Sequence, residues 1–171
     1  FQIRFVIVDI VPWTSGASRG TERQPERLLP NVPIGNADVL IGFMNRCVRL
    51  TYGWARAFNR VATVTTGCYE TVTLKDALPE QILSHEIAHL FGAFHPAITV
   101  PSVMRMGPAD KFDDQTSRVI RLMRTFDFKR GVMSLDQDTR RAWSAIYAEG
   151  HARDEPNPLA TAISNAGWSL I

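Results

Sequence analysis

Short apolar runs in the first half of the chain have the composition of β-strands. They are rich in β-branched and aromatic residues, which favour a pleated sheet. The four runs are residues 1–10, 38–44, 61–66 and 69–74. Continuous apolar residues at 6–8 are typical of a strand that is buried on both faces. The pattern predicts a sheet, with a hairpin or a bulged bend at residues 67–68.

Helical periodicity replaces these runs further along the chain. A helix is expected from about Pro79 to Phe91, with Leu83, Ile87 and Leu90 on one apolar face. This face is expected to pack on the sheet.

Two more helices are expected in the C-terminal part, at residues 113–125 and 135–149. Asp113 and Ser134 are their candidate N-caps, because both side chains can accept a hydrogen bond from a free backbone N–H. Residues 150–171 contain two prolines and a weakly apolar end, for which no element is predicted.

Several segments are punctuated by proline and glycine and are expected to be irregular. Residues 11–36 form a long excursion in which a short helical turn fits around Glu22–Leu29. Residues 45–60 interleave arginines with aromatics and fit a loop, an edge strand or a short helix. A solvated edge with anchoring aromatics is favoured there over a nucleic-acid surface. Residues 96–112 carry three prolines and are also expected to be irregular.

Composition narrows the class of protein. The 171 residues, 45% of them hydrophobic, fit one domain with or without a helical extension. No apolar run is long enough to span a membrane. The net charge of +2 and the scattered arginines do not favour nucleic-acid binding. Cys47 and Cys68 fit either one disulfide or two separate thiols, and the sequence leaves both open.

The candidate chemistry lies in the predicted helix at residues 79–91. His85 and His89 are four residues apart, so both can face one metal ion from the same side of a helix. Glu86 lies on the flank of that face, where it can act on a metal-bound water as a general base. This three-residue pattern occurs by chance in unrelated helices.

Two further residues make the pattern much more specific. Gly92 is the residue type that ends helices, because it tolerates a positive φ. It allows His95 to return toward the ion as a third ligand, and Pro96 prevents a helix from resuming. Three histidines leave one position open, as a catalytic zinc site requires. The fourth histidine, His151, is expected on the surface.

The spacing H-E-x-x-H-x-x-G-x-x-H of residues 85–95 resembles that of metzincin zinc peptidases. Ser102-Val103-Met104 resembles the methionine-bearing turn of the same clan, which implies that Met104 is a hydrophobic floor of the site. Met106 stands where many members have a tyrosine, so a tyrosine ligand is not supported. The resemblance also implies that residues 105–111 wall a substrate pocket.

The resemblance implies an α/β (α+β) fold, namely a zincin-like three-layer domain. This domain has a twisted mixed sheet, an active-site zinc helix and C-terminal helices. The catalytic domain would span residues 1–125, and residues 126–171 would form a helical extension packed on it. The usual first strand and backing helix are not visible, so we expect the chain to begin partway into the domain.

A zinc-dependent metalloendopeptidase is therefore the expected function. His85, His89 and His95 would hold one Zn²⁺, and Glu86 would be the catalytic base. Residues 61–66 would bind extended peptide by β-addition. We expect a monomer that acts on a peptide or protein, with no nucleic-acid partner and no membrane span. The alternatives are an inactive zinc-binding or partner-binding module, and a hydrolase of small amides.

Overall fold

The fold is mixed α/β, with a small three-stranded mixed sheet and several helices. The computed structural model describes residues 3–14, 24–45, 52–66, 79–97, 99–105, 109–151 and 156–166. The helices are α1 (Gln24–Asn31), α2 (Pro79–Leu90), α3 (Asp114–Leu122), α4 (Gln137–Gly150) and α5 (Pro158–Asn165). The strands are β1 (Leu40–Met44), β2 (Gly53–Ala55) and β3 (Val61–Thr65). Val103–Arg105 and Gly131–Ser134 form short 3₁₀ turns.

The central strand of the sheet is β3. It pairs in parallel with β1, where Leu40 lies opposite Val61, and antiparallel with β2, where Trp54 lies opposite Thr63. Both edges of β3 are therefore occupied. The expectation that residues 61–66 bind a peptide by β-addition is wrong, because no backbone groups remain on this strand for a further ladder. Within the described residues, β2 is an edge strand.

Alternation along β3 sends side chains to two different helices. Val64 packs with Tyr52 and with Ile82 of α2, whereas Val61 faces the other way and packs with Leu28 of α1. The period of two in a strand explains this division. Ile82 is 1% exposed and is the buried apolar side chain of α2 in the cluster with Val64.

The predicted apolar face of α2 is thus rotated by about one residue from the observed one. Leu83 is only partly buried beside the Ile82 contact, and Ile87 is partly buried against the main core. Leu90 is fully buried in that core, as expected.

The main hydrophobic core lies between α2 and the C-terminal helices. It joins residues far apart in sequence, including Phe58, Ala88, Met104, Trp143 and Ile163. Side chains from both sides of residue 125 thus share one core. The domain boundary at that residue stays a prediction.

The structure confirms one predicted helix cap and corrects the other. Asp113 caps α3 and accepts a hydrogen bond from the Thr116 N–H at 2.8 Å. The cap of α4 is Asp136, which accepts from the Thr139 N–H at 2.7 Å. Ser134 instead donates its hydroxyl to a carbonyl inside the preceding 3₁₀ turn. The helix therefore starts two residues later than predicted.

The N-terminal run is the largest departure from the predicted strands. Residues 3–10 have no regular secondary structure, and Val6, Ile7 and Val8 are 68–78% exposed. The strand prediction is wrong for these residues. Strand preference reflects packing on a pleated surface, and this segment has no strand partner among the described residues.

Other predictions fall on different parts of the chain. The strand expected at residues 69–74, Cys47 and Cys68 lie outside the described residues. The helix α5 was not predicted, although Asn157 caps it and Pro158 opens its first turn. Among the described residues, no helix is both long and apolar enough to cross a membrane.

The rotated face of α2 gives a direct test of the packing. Replacing Ile82 with Ala should lower the free energy of unfolding by about 3 kcal/mol, because it opens a cavity beneath the sheet. The matched change Leu83→Ala should cost clearly less. Urea denaturation of both variants measures the two values, and a larger cost at Leu83 would contradict the observed orientation of α2.

Candidate metal centre

Two histidines project from the same face of α2. His85 and His89 are both buried, and their Nε2 atoms lie 3.1 Å apart. The spacing of four residues places them one turn apart on the helix. This part of the predicted site is assembled by local structure alone.

The third histidine reaches the same point because α2 ends in a Schellman turn. The Gly92 N–H donates to His89 O at 2.8 Å, and the Ala93 N–H donates to Ala88 O at 3.0 Å. Gly92 has φ +81°, which a residue with a Cβ rarely adopts. The chain then reverses and brings the His95 Nε2 to 3.4 Å from that of His85.

Space as well as backbone conformation requires glycine at position 92. A Cβ atom there would lie 2.3 Å from the ring of Phe58, which fills the inside of the turn. The predicted role of Gly92 as the residue that ends the helix is therefore confirmed.

Backbone carbonyls fix which ring nitrogen of two histidines carries the proton. His85 Nδ1 lies 2.9 Å from Val103 O, and His89 Nδ1 lies 2.9 Å from Ala93 O. A carbonyl can only accept, so each Nδ1 carries the proton and each Nε2 presents a lone pair. The two Nε2 atoms at 3.1 Å then have no proton to share. Such converging lone pairs favour a cation between them.

The two short distances, 3.1 Å and 3.4 Å between the Nε2 atoms, are close to those around a tetrahedral ion. Zn–N bonds of about 2.0–2.1 Å at tetrahedral angles separate the donor atoms by roughly 3.3–3.4 Å. Three ligand atoms, one from each of His85, His89 and His95, lie within 4.8 Å of one another. The group can hold a metal ion, and its geometry is compatible with zinc.

The electrostatics of His89 agree with this donor set. Burial lowers the pKa of His89 well below its usual value, and the neighbouring His85 and His95 lower it further. His89 is therefore neutral near pH 7, as a metal ligand must be.

A second layer of polar groups holds the carbonyl that orients His85. The Val103 N–H donates to Lys111 O at 3.0 Å, and the Ser102 hydroxyl accepts from the Met104 N–H at 3.1 Å. The same hydroxyl donates to Asp113 Oδ2 at 2.6 Å. All of these groups belong to the turn that follows the third histidine, or to the cap of α3.

Met104, predicted as the floor of the site, is fully buried in the main core. Its turn is attached to the histidine cluster through the neighbouring Val103 carbonyl. Sequence reasoning identified the cap Asp113, whereas the role of Met104 as the floor of the site stays a prediction. It did not predict that the Val103 carbonyl orients His85, because a backbone carbonyl leaves no signal in the side-chain pattern.

Glu86 lies beside the edge strand of the sheet. Its side chain is 4% exposed, and its carboxyl group occupies the space where a Cβ on Gly53 would lie. Burial raises the pKa of Glu86 to about 8. Gly53 thus leaves room for a buried carboxyl group beside β2.

The fourth histidine departs from expectation. His151 is half-buried rather than on the surface, and it forms an antiparallel bridge with Pro96, the residue that follows His95. Its sequence position gave no sign of this contact, which joins residues 55 positions apart.

Comparison with known protein families, curated proteins and solved structures finds no match to this chain.

Asp113 and Asp136 provide a matched test of the polar layer. Both cap a helix through a threonine three residues later, but only Asp113 is buried and bonded to Ser102. Asp113→Asn should cost about 2 kcal/mol of unfolding free energy, because an amide donor would then face a hydroxyl donor. Asp136→Asn should cost less. Equal shifts of the urea midpoint would show that Asp113 is only a cap.

The raised pKa of Glu86 predicts a pH dependence in metal-free protein. The unfolded chain loses this proton near pH 4.5, whereas the folded chain keeps it to about pH 8. Stability is therefore fully present below pH 4.5 and falls by roughly 1.4 kcal/mol per pH unit up to about 8.

Glu86→Gln removes that contribution and leaves those of the histidines in place. The unfolding free energy of the wild type minus that of Glu86→Gln should decline as pH rises across this window. Urea denaturation at several pH values measures the difference. A flat or rising difference would contradict the burial of a protonated carboxyl group.

Proposed function

We propose that this chain is a zinc-dependent metalloendopeptidase with a zincin-like fold of the metzincin type. One observation carries the proposal. Ligand nitrogens of three histidines lie within 4.8 Å of one another, with His85 Nε2 at 3.1 Å and 3.4 Å from those of His89 and His95, and a buried glutamate follows His85 in the same helix.

The metal would be held by His85, His89 and His95. An all-imidazole donor set suits several transition metals, and roughly tetrahedral spacing favours zinc among them. When bound, Zn²⁺ supplies Lewis-acid chemistry, which acidifies water and polarises a carbonyl group. Three protein ligands leave one position for water or substrate.

Glu86 is the proposed general base. The pKa of about 8 describes the carboxyl group without a nearby cation. A positive charge close to the helix stabilises the carboxylate, so metal loading is expected to lower this pKa and ionise the base. The carboxylate then accepts the proton of the attacking water and delivers it to the leaving amine.

The edge strand β2 is the proposed guide for an extended peptide. It runs antiparallel to β3, and its Gly53 lies against Glu86. An added strand along β2 would therefore hold its peptide bond next to the base through main-chain hydrogen bonds. This assignment replaces residues 61–66 as the substrate-binding strand.

A cavity beside the site suits a substrate side chain. It has a volume of about 460 Å³ and lies between the first half of α2 and residues 103, 110–112 and 117. Its lining includes Ser84, next to His85, and Val103, whose carbonyl orients His85. Asp110 and Lys111, from the stretch expected to wall a substrate pocket, also line this cavity.

The decisive experiment compares Glu86 with an acidic residue outside the proposed site. Glu86→Ala should keep one zinc ion per chain and lower kcat/KM for peptide cleavage by about 10³-fold, because the base is lost. Asp138→Ala, an exposed change in the first turn of α4, should leave activity unchanged. Metal analysis and cleavage of a peptide library measure both.

The outcomes separate the candidate functions. Undiminished cleavage by Glu86→Ala would refute the mechanism. A zinc-loaded wild type that cleaves no peptide would instead favour a zinc-binding module or a hydrolase of small amides.

A further inference from the structure

Helix α4 carries three aromatic rings in a continuous stack. Trp143, Tyr147 and the C-cap His151 are spaced four residues apart, so they lie on one face of the helix. The rings of Trp143 and Tyr147 are 5.1 Å apart, and those of Tyr147 and His151 are 4.2 Å apart, each pair tilted by 16°. We call these three residues the aromatic ladder.

Each member of the ladder contacts residues 92–96, the segment that contains the third histidine. The Trp143 indole N–H donates to Gly92 O at 2.9 Å. The Tyr147 ring meets that of Phe94 edge to face, with centroids 5.1 Å apart. His151 forms its antiparallel bridge with Pro96. The three contacts therefore bracket His95 on both sides.

We propose that the aromatic ladder positions His95 for metal binding. The inference rests on the proposed metal centre and not on peptide cleavage. His85 and His89 are held by the hydrogen bonds of α2, whereas His95 lies beyond the end of that helix. A loop ligand must be ordered when the metal binds unless packing has already ordered it.

The Trp143 contact acts on the turn itself. Its side chain is fully buried, and a buried indole N–H requires an acceptor. The acceptor is the carbonyl of Gly92, the residue whose positive φ reverses the chain. Phe58 contacts Trp143 edge to face at 5.5 Å and fills the space beside Gly92. The turn is thus held between Phe58 and α4.

Tyr147 and His151, the last two members of the ladder, contact the residues directly before and after His95. Tyr147 is buried, and His151 Nδ1 lies 2.8 Å from the Tyr147 carbonyl, which orients the last ring of the stack. The Pro96 bridge then ties the backbone after His95 to the end of α4. A sequence that ended α4 earlier would lose this attachment.

Two variants remove contacts of the ladder without adding bulk. Trp143→Phe keeps an aromatic ring but removes the indole N–H, and Tyr147→Leu removes the ring that stacks on Trp143 and contacts Phe94 while keeping an apolar side chain. Each should raise the zinc dissociation constant at least ten-fold, as expected for outer-shell partners. Chelator competition measures the constants, and Co²⁺ absorption shows whether the ligand geometry has changed.

The control is Asp136→Ala, which weakens α4 at its first turn and touches none of the three contacts. It should leave the zinc dissociation constant within two-fold of that of the wild type at a temperature where every variant is folded. Hydrogen exchange gives a readout without metal. Residues 91–97 should exchange faster in both ladder variants than in Asp136→Ala.

Unchanged zinc affinity in Tyr147→Leu, together with unchanged exchange at residues 91–97, would overturn the proposal even if Trp143→Phe failed to fold. An equal loss of affinity in Asp136→Ala would also overturn it, because the ladder would then contribute only stability. A wild type that binds zinc but cleaves no peptide would refute the peptidase and leave this inference standing.

Discussion

Three imidazole nitrogens converge on one point, and two of them have no proton to place between their lone pairs. His85 and His89 present Nε2 atoms 3.1 Å apart, while both of their Nδ1 atoms are committed to carbonyl acceptors. The arrangement is electrostatically unfavourable without a cation. It persists because the surrounding structure determines the position of each ring, as is common where a fold serves a functional site.

The supports come from the part of the chain that follows the motif. The turn containing Val103 supplies a carbonyl to His85, and Asp113 of the α3 cap holds that turn through Ser102. The other support is α4, whose Trp143 meets the Gly92 carbonyl. Outer groups of this kind set the tautomer and orientation of metal ligands. The C-terminal helices are therefore part of the candidate centre and not an accessory to it.

Burial of Glu86 creates a conflict between stability and charge beside the same cluster. The side chain of Glu86 is 4% exposed, and burial disfavours the charged form of its carboxyl group. The metal-free fold is therefore less stable at neutral and higher pH than at low pH. A hydrophobic residue would stabilise α2 more. The conflict is resolved if a cation occupies the histidine cluster, because opposite charge then favours the carboxylate.

Local patterns were sufficient for α2, β1, β3 and the three histidines, because helical spacing and a glycine stop act within a few residues. The same patterns failed at residues 3–10, whose strand preference requires a neighbouring strand to be realised. They also failed at Ser134, since the capping residue depends on where the preceding turn places the backbone.

The sequence by itself determined the three-histidine cluster that could hold a metal ion, the helix that carries two of its members and the glycine that returns the third. Only the tertiary structure decided which carbonyls orient the histidine rings and which strand forms the edge of the sheet. It also decided that Trp143 and His151 contact the segment on either side of His95. These features are contacts between residues distant in sequence. Packing geometry determines such contacts, and no short-range periodicity encodes them.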